Sequence, residues 1–121
     1  MGKLLIVEDD ESVRMFTARA LTASGHTVET AADGEDGLAA ITAAHGQFDL
    51  VLSDIRMPVM DGIDMAKQAA NAFPGLRILL MTGYAEQRER AAELENIVID
   101  VVSKPFTLAD IRNKVRDALA Q

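Results

Sequence analysis

The chain has 121 residues, 49% of them hydrophobic, and a formal net charge of −7. That length suits one domain with its own core, and that apolar fraction excludes a disordered chain. The absence of cysteine excludes a disulfide scaffold and thiolate metal sites, and acidity without a basic stripe argues against direct nucleic-acid binding, leaving proteins or cations as partners.

No apolar stretch is long enough for a membrane span, and no secretory signal is expected. Met1-Gly2 opens like a myristoylation site, but Ile6 stands where that motif wants Ser or Thr. A cytoplasmic protein is expected. No linker, repeat or low-complexity tract divides the sequence, so residues 1–121 read as one domain.

Lys3 to Val7 is a Leu- and β-branched run, hence a strand, followed at once by Glu8-Asp9-Asp10-Glu11. Acids at a helix start meet the positive end of the helix dipole. That accounts for Asp10 and Glu11 better than for Glu8 and Asp9, which sit at the strand's end. A helix over 11–24 presents Val13, Phe16, Ala20 and Leu21, and Gly25 ends it as a C′ residue. Residues 27–31 form a second, edge strand. After Asp33-Gly34 turns the chain, a helix over 34–44 packs through Leu38 and Ile41. His26 and His45 stand near helix ends without a second ligand at metal spacing, so capping or exposure explains them.

The run 48–53 is a third strand, buried on both faces, with Asp54 at its carboxyl end. Met57-Pro58 and Asp61-Gly62 follow as turn signals. A helix over 63–72 faces the sheet with Ile63, Ala66, Ala69 and Ala70, and Pro74-Gly75 stops it. Residues 76–81 are the fourth strand, ending at Thr82-Gly83. A charged, thin-faced helix is expected over 84–94, and a fifth strand over 97–103, ending at Lys104-Pro105-Phe106. Thr107 caps the last helix with Asp110 three residues on, Phe106 and Ile111 are placed as a hydrophobic staple, and Leu108, Ile111, Val115 and Leu119 carry its apolar face. Strand and helix alternate five times, which means a parallel sheet with five helices on its two faces, an α/β/α three-layer domain.

All strand carboxyl ends of such a sheet share one edge. There stand Glu8-Asp9, Asp54, Thr82 and Lys104. One polar strand end is unremarkable; polar groups after four apolar runs on one edge point to a site. Crowded carboxylates repel unless a cation sits among them, and carboxylates with a carbonyl and waters suit Mg²⁺. Lys104 and Thr82 add a positive charge and a hydroxyl donor for phosphoryl oxygens, and a carboxylate within such a cradle can accept a phosphoryl group.

These residues, with Met57-Pro58, Met60-Asp61-Gly62, Gly83 and Pro105-Phe106, resemble the response-regulator receiver domain of bacterial two-component signalling, chemotaxis receivers included. The resemblance covers the whole chain. It implies a flavodoxin-like doubly wound fold with strand order 2-1-3-4-5. It implies that Asp54 is the phosphoacceptor, that Asp9 and Asp54 bind Mg²⁺ with Glu8 alongside, and that Arg56 offers its backbone carbonyl. By the same resemblance Thr82 moves onto the phosphoryl group, Lys104 pairs with it, and the Lys104-Pro105 bond is cis. The partners implied are a histidine kinase or histidine phosphotransferase and a downstream protein target. Neither membrane nor nucleic acid is implied, and the chain is expected to be a monomer or weak dimer. The resemblance implies a signalling protein and not an enzyme acting on an external substrate.

Three departures from the family pattern stand out. Val101 occupies the usual aromatic position three residues before the lysine, Glu95-Asn96-Ile97-Val98 replaces a common Gly-Ala segment, and no output domain is expected. With Val101 lacking a polar tip, Tyr84 and the helix after it become the candidates for reporting the state of Thr82. Rival readings fit less well. A haloacid-dehalogenase phosphatase wants Asp-x-Asp after the first strand and a cap. A flavodoxin-type electron carrier wants a Ser/Thr/Gly-rich phosphate loop where four acids stand. A receiver-like module that no longer takes phosphate conflicts with the complete acid, Asp, Thr and Lys set.

Overall fold

The computed structural model describes residues 2–83, 90, 94 and 96–121. Five strands, β1 (Lys3–Val7), β2 (Thr27–Ala31), β3 (Leu50–Asp54), β4 (Ile78–Thr82) and β5 (Asp100–Ser103), form one sheet. All neighbours pair in parallel, in the order β2-β1-β3-β4-β5. This is the flavodoxin-like arrangement, with β3 central. Four helices lie among the described residues: α1 (Glu11–Ala23), α2 (Gly34–Ala43), α3 (Gly62–Ala72) and α4 (Leu108–Leu119). The helix expected over 84–94 falls mostly outside the described residues.

Successive strand residues point to opposite faces, and this divides the core in two. Leu5, Val7, Val51, Ile78 and Leu80 meet Ile41 of α2 and Ile63, Met65, Ala66 and Ala69 of α3. Leu4, Ile6, Leu50, Leu52, Leu79 and Met81 meet Ala20 and Leu21 of α1 and Ile111, Val115 and Ala118 of α4. Every residue of β3 and β4 is buried, and each fully buried Leu or Ile contributes roughly 1.5–3 kcal/mol.

Each described helix starts at the strands' carboxyl edge on a side-chain cap. Asp10, Asp33, Asp61 and Thr107 accept from the backbone N–H of Val13, Asp36, Asp64 and Asp110. At Thr107 the cap is reciprocal, because the Asp110 carboxylate accepts the Thr107 N–H at 3.0 Å. Gly25 and His45 take positive φ at 98° and 55° and end α1 and α2. Asp61-Gly62 therefore acts less as a turn than as the cap and first residue of α3. The chain leaves α3 at Phe73, φ −131°, extended as the residue before Pro74 must be.

Some expected core positions differ. Phe16 is 42% exposed, and Thr17 takes its place inside. Thr17 fits there because its hydroxyl donates to the Val13 carbonyl at 2.8 Å. Leu108, the first residue of α4, is also 42% exposed. Met65 is fully buried, while Ala70 is only partly so. The expected starts of β3, β4 and β5 were two or three residues early. At β5 the Val98 N–H returns to the Leu94 carbonyl at 2.8 Å and does not enter the ladder.

Candidate functional site

The sheet register builds the site. Val7 pairs with Ser53, so the next residues, Glu8 and Asp54, are neighbours across β1 and β3. Thr82 pairs with Ser103, so Lys104 emerges just beyond the end of β4. Glu8 is fully buried, Asp54 is 8% exposed and Thr82 is 1% exposed, while Asp9 faces solvent. One carboxylate oxygen from each of Glu8, Asp9 and Asp54 lies within 4.8 Å of the others.

Lys104 bridges two of these acids. Its Nζ donates to Glu8 Oε1 at 2.5 Å and to Asp54 Oδ2 at 3.1 Å. The other Asp54 oxygen, Oδ1, accepts the Ile55 N–H at 2.9 Å, which fixes the carboxyl plane. Glu8 Oε2 is buried without a hydrogen-bond partner among the described residues. Burial, followed by the hydrogen bond and charge of Asp54, pushes the Glu8 carboxyl up from 4.5 to about 8 against the opposing pull of Lys104. Burial also pulls Lys104 down, but the hydrogen bond to Glu8 and the charges of Asp54 and Glu8 outweigh it and raise the ammonium's pKa.

Two glycines hold the Asp54 loop in place. A Cβ on Gly62 would lie 2.0 Å from the Asp54 carbonyl oxygen, and the Gly62 N–H donates to the Ile55 carbonyl at 2.7 Å. A Cβ on Gly34 would lie 2.2 Å from the Met60 carbonyl oxygen. Between them Val59 sits at φ 70°, with the Met60 N–H donating to the Pro58 carbonyl at 2.8 Å around it. Asp61 both caps α3 and meets Arg90 at 3.1 Å.

A cavity of about 760 Å³ opens over the acids, with Asp9, Asp54, Arg56, Lys104 and Phe106 in its wall. Gly83 lines it at the end of β4. The rings of Phe16 and Phe106 stand 6.5 Å apart at its rim, which explains why Phe16 left the core. The Lys104-Pro105 peptide bond is cis, as expected. Val101 is half-buried on β5 and packs against the α2/α3 side of the core. Tyr84 lies outside the described residues.

The structure thus brings Glu8, Asp9, Asp54 and Lys104 into one constellation, with Thr82 at the adjacent strand end and Arg56 in the cavity wall. The donor set, one carboxylate oxygen from each of three acids lying within 4.8 Å of one another, is hard oxygen and fits a hard divalent cation. Reading the sequence missed the direct Lys104–Glu8 contact and the clamp at Gly62. Asp61-Gly62 carries a signal for the second, but in sequence the same pair also reads as a turn.

Residues 4–116 match the model of the response regulator receiver domain. The sensor kinase CckA of Brucella abortus is 34% identical over 120 residues, covering 96% of this chain and 12% of that protein. A Mycobacterium response regulator, MprA, is 34% identical over 117 residues, covering 97% of this chain and 50% of that protein. The chain therefore spans half or less of the length of these curated relatives. The Vibrio cholerae chemotaxis response regulator CheY4 is similar in structure with a TM-score of 0.85 at 29% identity, over 98% of each chain. A CheY-like receiver domain protein of Methanospirillum hungatei reaches 0.89 at 31% identity, over 99% of this chain and 94% of that one. Sequence match and structural likeness extend over nearly all of the chain, and it belongs to the response regulator receiver domain family.

Proposed function

We propose that this domain is a phosphorylation switch in which Asp54 accepts a phosphoryl group from a histidine kinase or histidine phosphotransferase in the cytoplasm. The observation that carries this reading is the position of Asp54: a carboxylate fixed at the end of the central strand, open to a cavity, with a lysine ammonium 3.1 Å away. In the step itself an Asp54 carboxylate oxygen attacks phosphorus, an acyl-phosphate bond forms, and the bond from phosphorus to the donor breaks with its electron pair leaving on the donor. Lys104 moves its positive charge onto the phosphoryl oxygens, and Thr82 supplies a hydroxyl donor. Asp9, Asp54 and the Arg56 carbonyl would hold Mg²⁺, with Glu8 alongside. The ion supplies charge neutralisation at the phosphoryl oxygens when bound. The domain then relays the group or binds a protein target, and it is a signalling component, not an enzyme turning over an external substrate.

Intact-mass analysis with acetyl phosphate tests this. The protein gains one phosphoryl group when Mg²⁺ is present and none in EDTA, and Asp54→Asn gains none. Labelling of Asp54→Asn to the same extent removes Asp54 from the role. No labelling of the unaltered protein by acetyl phosphate or by a phosphorylated kinase favours instead an interaction module that no longer takes phosphate.

A further inference from the structure

A second cavity, about 640 Å³, opens at the opposite edge of the sheet, where the strands begin. Its wall includes Gly2, His26, Arg77, Arg112, Arg116 and Leu119. Three arginines thus converge on one cavity of a chain whose net charge is −7. Arg77 donates to the Gln121 carbonyl. Among the described residues the Arg116 side chain reaches only the Asp117 carboxylate, at 3.4 Å with both side chains about two-thirds exposed, a contact worth close to nothing in water. Arg112 has neither an ion pair nor a hydrogen bond among the described residues. Arg112 and Arg116 stand one helical turn apart, where like charges repel.

The other polar groups strengthen this pattern. His26 Nδ1 accepts the Gly2 N–H at 3.1 Å, so a neutral His26 carries its proton on Nε2 as a donor. Among the described residues Asp49 is the one carboxylate in the cavity wall, and its Oδ2 accepts the Lys3 N–H at 2.7 Å. Among the described residues the cavity wall thus carries three guanidiniums and an imidazole against one carboxylate, Asp49, with Asp117 beside Arg116 outside it.

We propose that this cavity binds a small phosphate monoester, its dianionic phosphate held by Arg112 and Arg116 and its body against Leu119. Guanidinium forks match phosphate oxygens two at a time, and the charge excess suits a dianion better than a monocarboxylate. The cavity volume is that of a small-molecule site. A membrane phosphate is disfavoured because the strongly negative chain is repelled by an anionic surface. The site is independent of the acidic edge and of phosphoryl transfer there.

The experiment titrates the protein with phenyl phosphate in EDTA and follows backbone amide shifts. Saturable shifts at Gly2, His26, Arg77 and Arg116, with Asp9 and Asp54 unmoved and a Kd below about 1 mM, support the site. Arg112→Gln and Arg116→Gln each weaken binding roughly tenfold or more and keep the melting temperature of the unaltered protein. Benzoate binding as tightly as phenyl phosphate overturns the preference for a dianion. Inorganic phosphate binding equally tightly overturns the role of the organic body. Absence of shifts at these residues, or full binding by both variants, overturns the site itself.

Discussion

Lys104 stands closer to Glu8 than to Asp54, at 2.5 Å against 3.1 Å. Its ammonium therefore answers first the acid that water cannot reach. A phosphoryl group on Asp54 would compete for that ammonium with a carboxyl already hard to ionise.

This arrangement sets a pH dependence. The folded protein keeps a proton on Glu8 up to about pH 8, whereas the unfolded chain loses it near 4.5. Between these values the folded state binds more protons, so metal-free stability falls as pH rises and levels off above pH 8. The raised Lys104 pKa adds stability that is fully present below its ordinary 10.5, so it contributes no slope in this window. Urea unfolding in EDTA at pH 5 and pH 8 will differ by on the order of 1–3 kcal/mol, and Glu8→Gln will flatten the difference. Equal stability at both pH values in the unaltered protein would refute a buried, protonated Glu8.

Mg²⁺ should raise the melting temperature, because the folded site gathers acids that the unfolded chain disperses. At a concentration one hundred times Kd the gain is about 2.7 kcal/mol. Asp9→Asn should remove most of that gain. In the metal-free state the same variant should shift stability by less than about 0.5 kcal/mol, since Asp9 faces water. Calorimetry with and without the ion checks both.

Gly62→Ala should destabilise the fold by about 3 kcal/mol or more. A methyl group 2.0 Å from the Asp54 carbonyl cannot be accommodated by a side-chain rotation, because the obstacle is backbone. Surviving folded protein should also show slower phosphoryl uptake, as the loop carrying the nucleophile shifts. Native-like stability with unchanged labelling would mean the clamp is not there.

Val59→Gly should act in the opposite direction. Val59 is a β-branched residue at φ 70°, 76% exposed. The left-handed region costs a side chain about 1–2 kcal/mol, of which the extra freedom of unfolded glycine returns roughly half. A net gain of about 0.5–1 kcal/mol in chemical unfolding is expected.

Val101→Ala should cost about 1 kcal/mol through lost packing and leave phosphoryl uptake unchanged. Tyr84→Ala should instead alter the lifetime of the phosphorylated protein, because it follows Thr82 by two residues. Amide shifts on adding beryllofluoride that halt at Thr82 would rule out Tyr84 as the reporter.

Much of this was legible in the sequence because parallel sheets gather their strand ends. Once five apolar runs are placed, Glu8, Asp54, Thr82 and Lys104 must share an edge, whatever the details of packing. The capping box at Thr107 and Asp110 was legible for a similar reason, since it is local. What escaped notice depends on distances between remote segments. Phe16 reads as a core residue until Phe106, from another strand end, is found beside it at the cavity rim. Lys104 and Glu8 are 96 positions apart, and no spacing rule connects them. Arg77, Arg112 and Arg116 are scattered charges in the sequence and become a cluster only through the packing of α4 beside the start of β4.

The nucleophile and its counter-ion are mounted on strands of unequal security. Asp54 ends β3, which has a partner on each side and no exposed residue, so its backbone exchanges with solvent only when the whole domain opens. Lys104 follows β5, an edge strand of four residues with a mostly accessible pattern, and local opening there costs far less. The acid is therefore expected to persist as long as the fold itself, while the strand that carries the cation should open at lower cost. Hydrogen exchange would display the two as separate classes, and the interval between them is the range of free energy in which a binding partner can move Lys104 without disturbing Asp54.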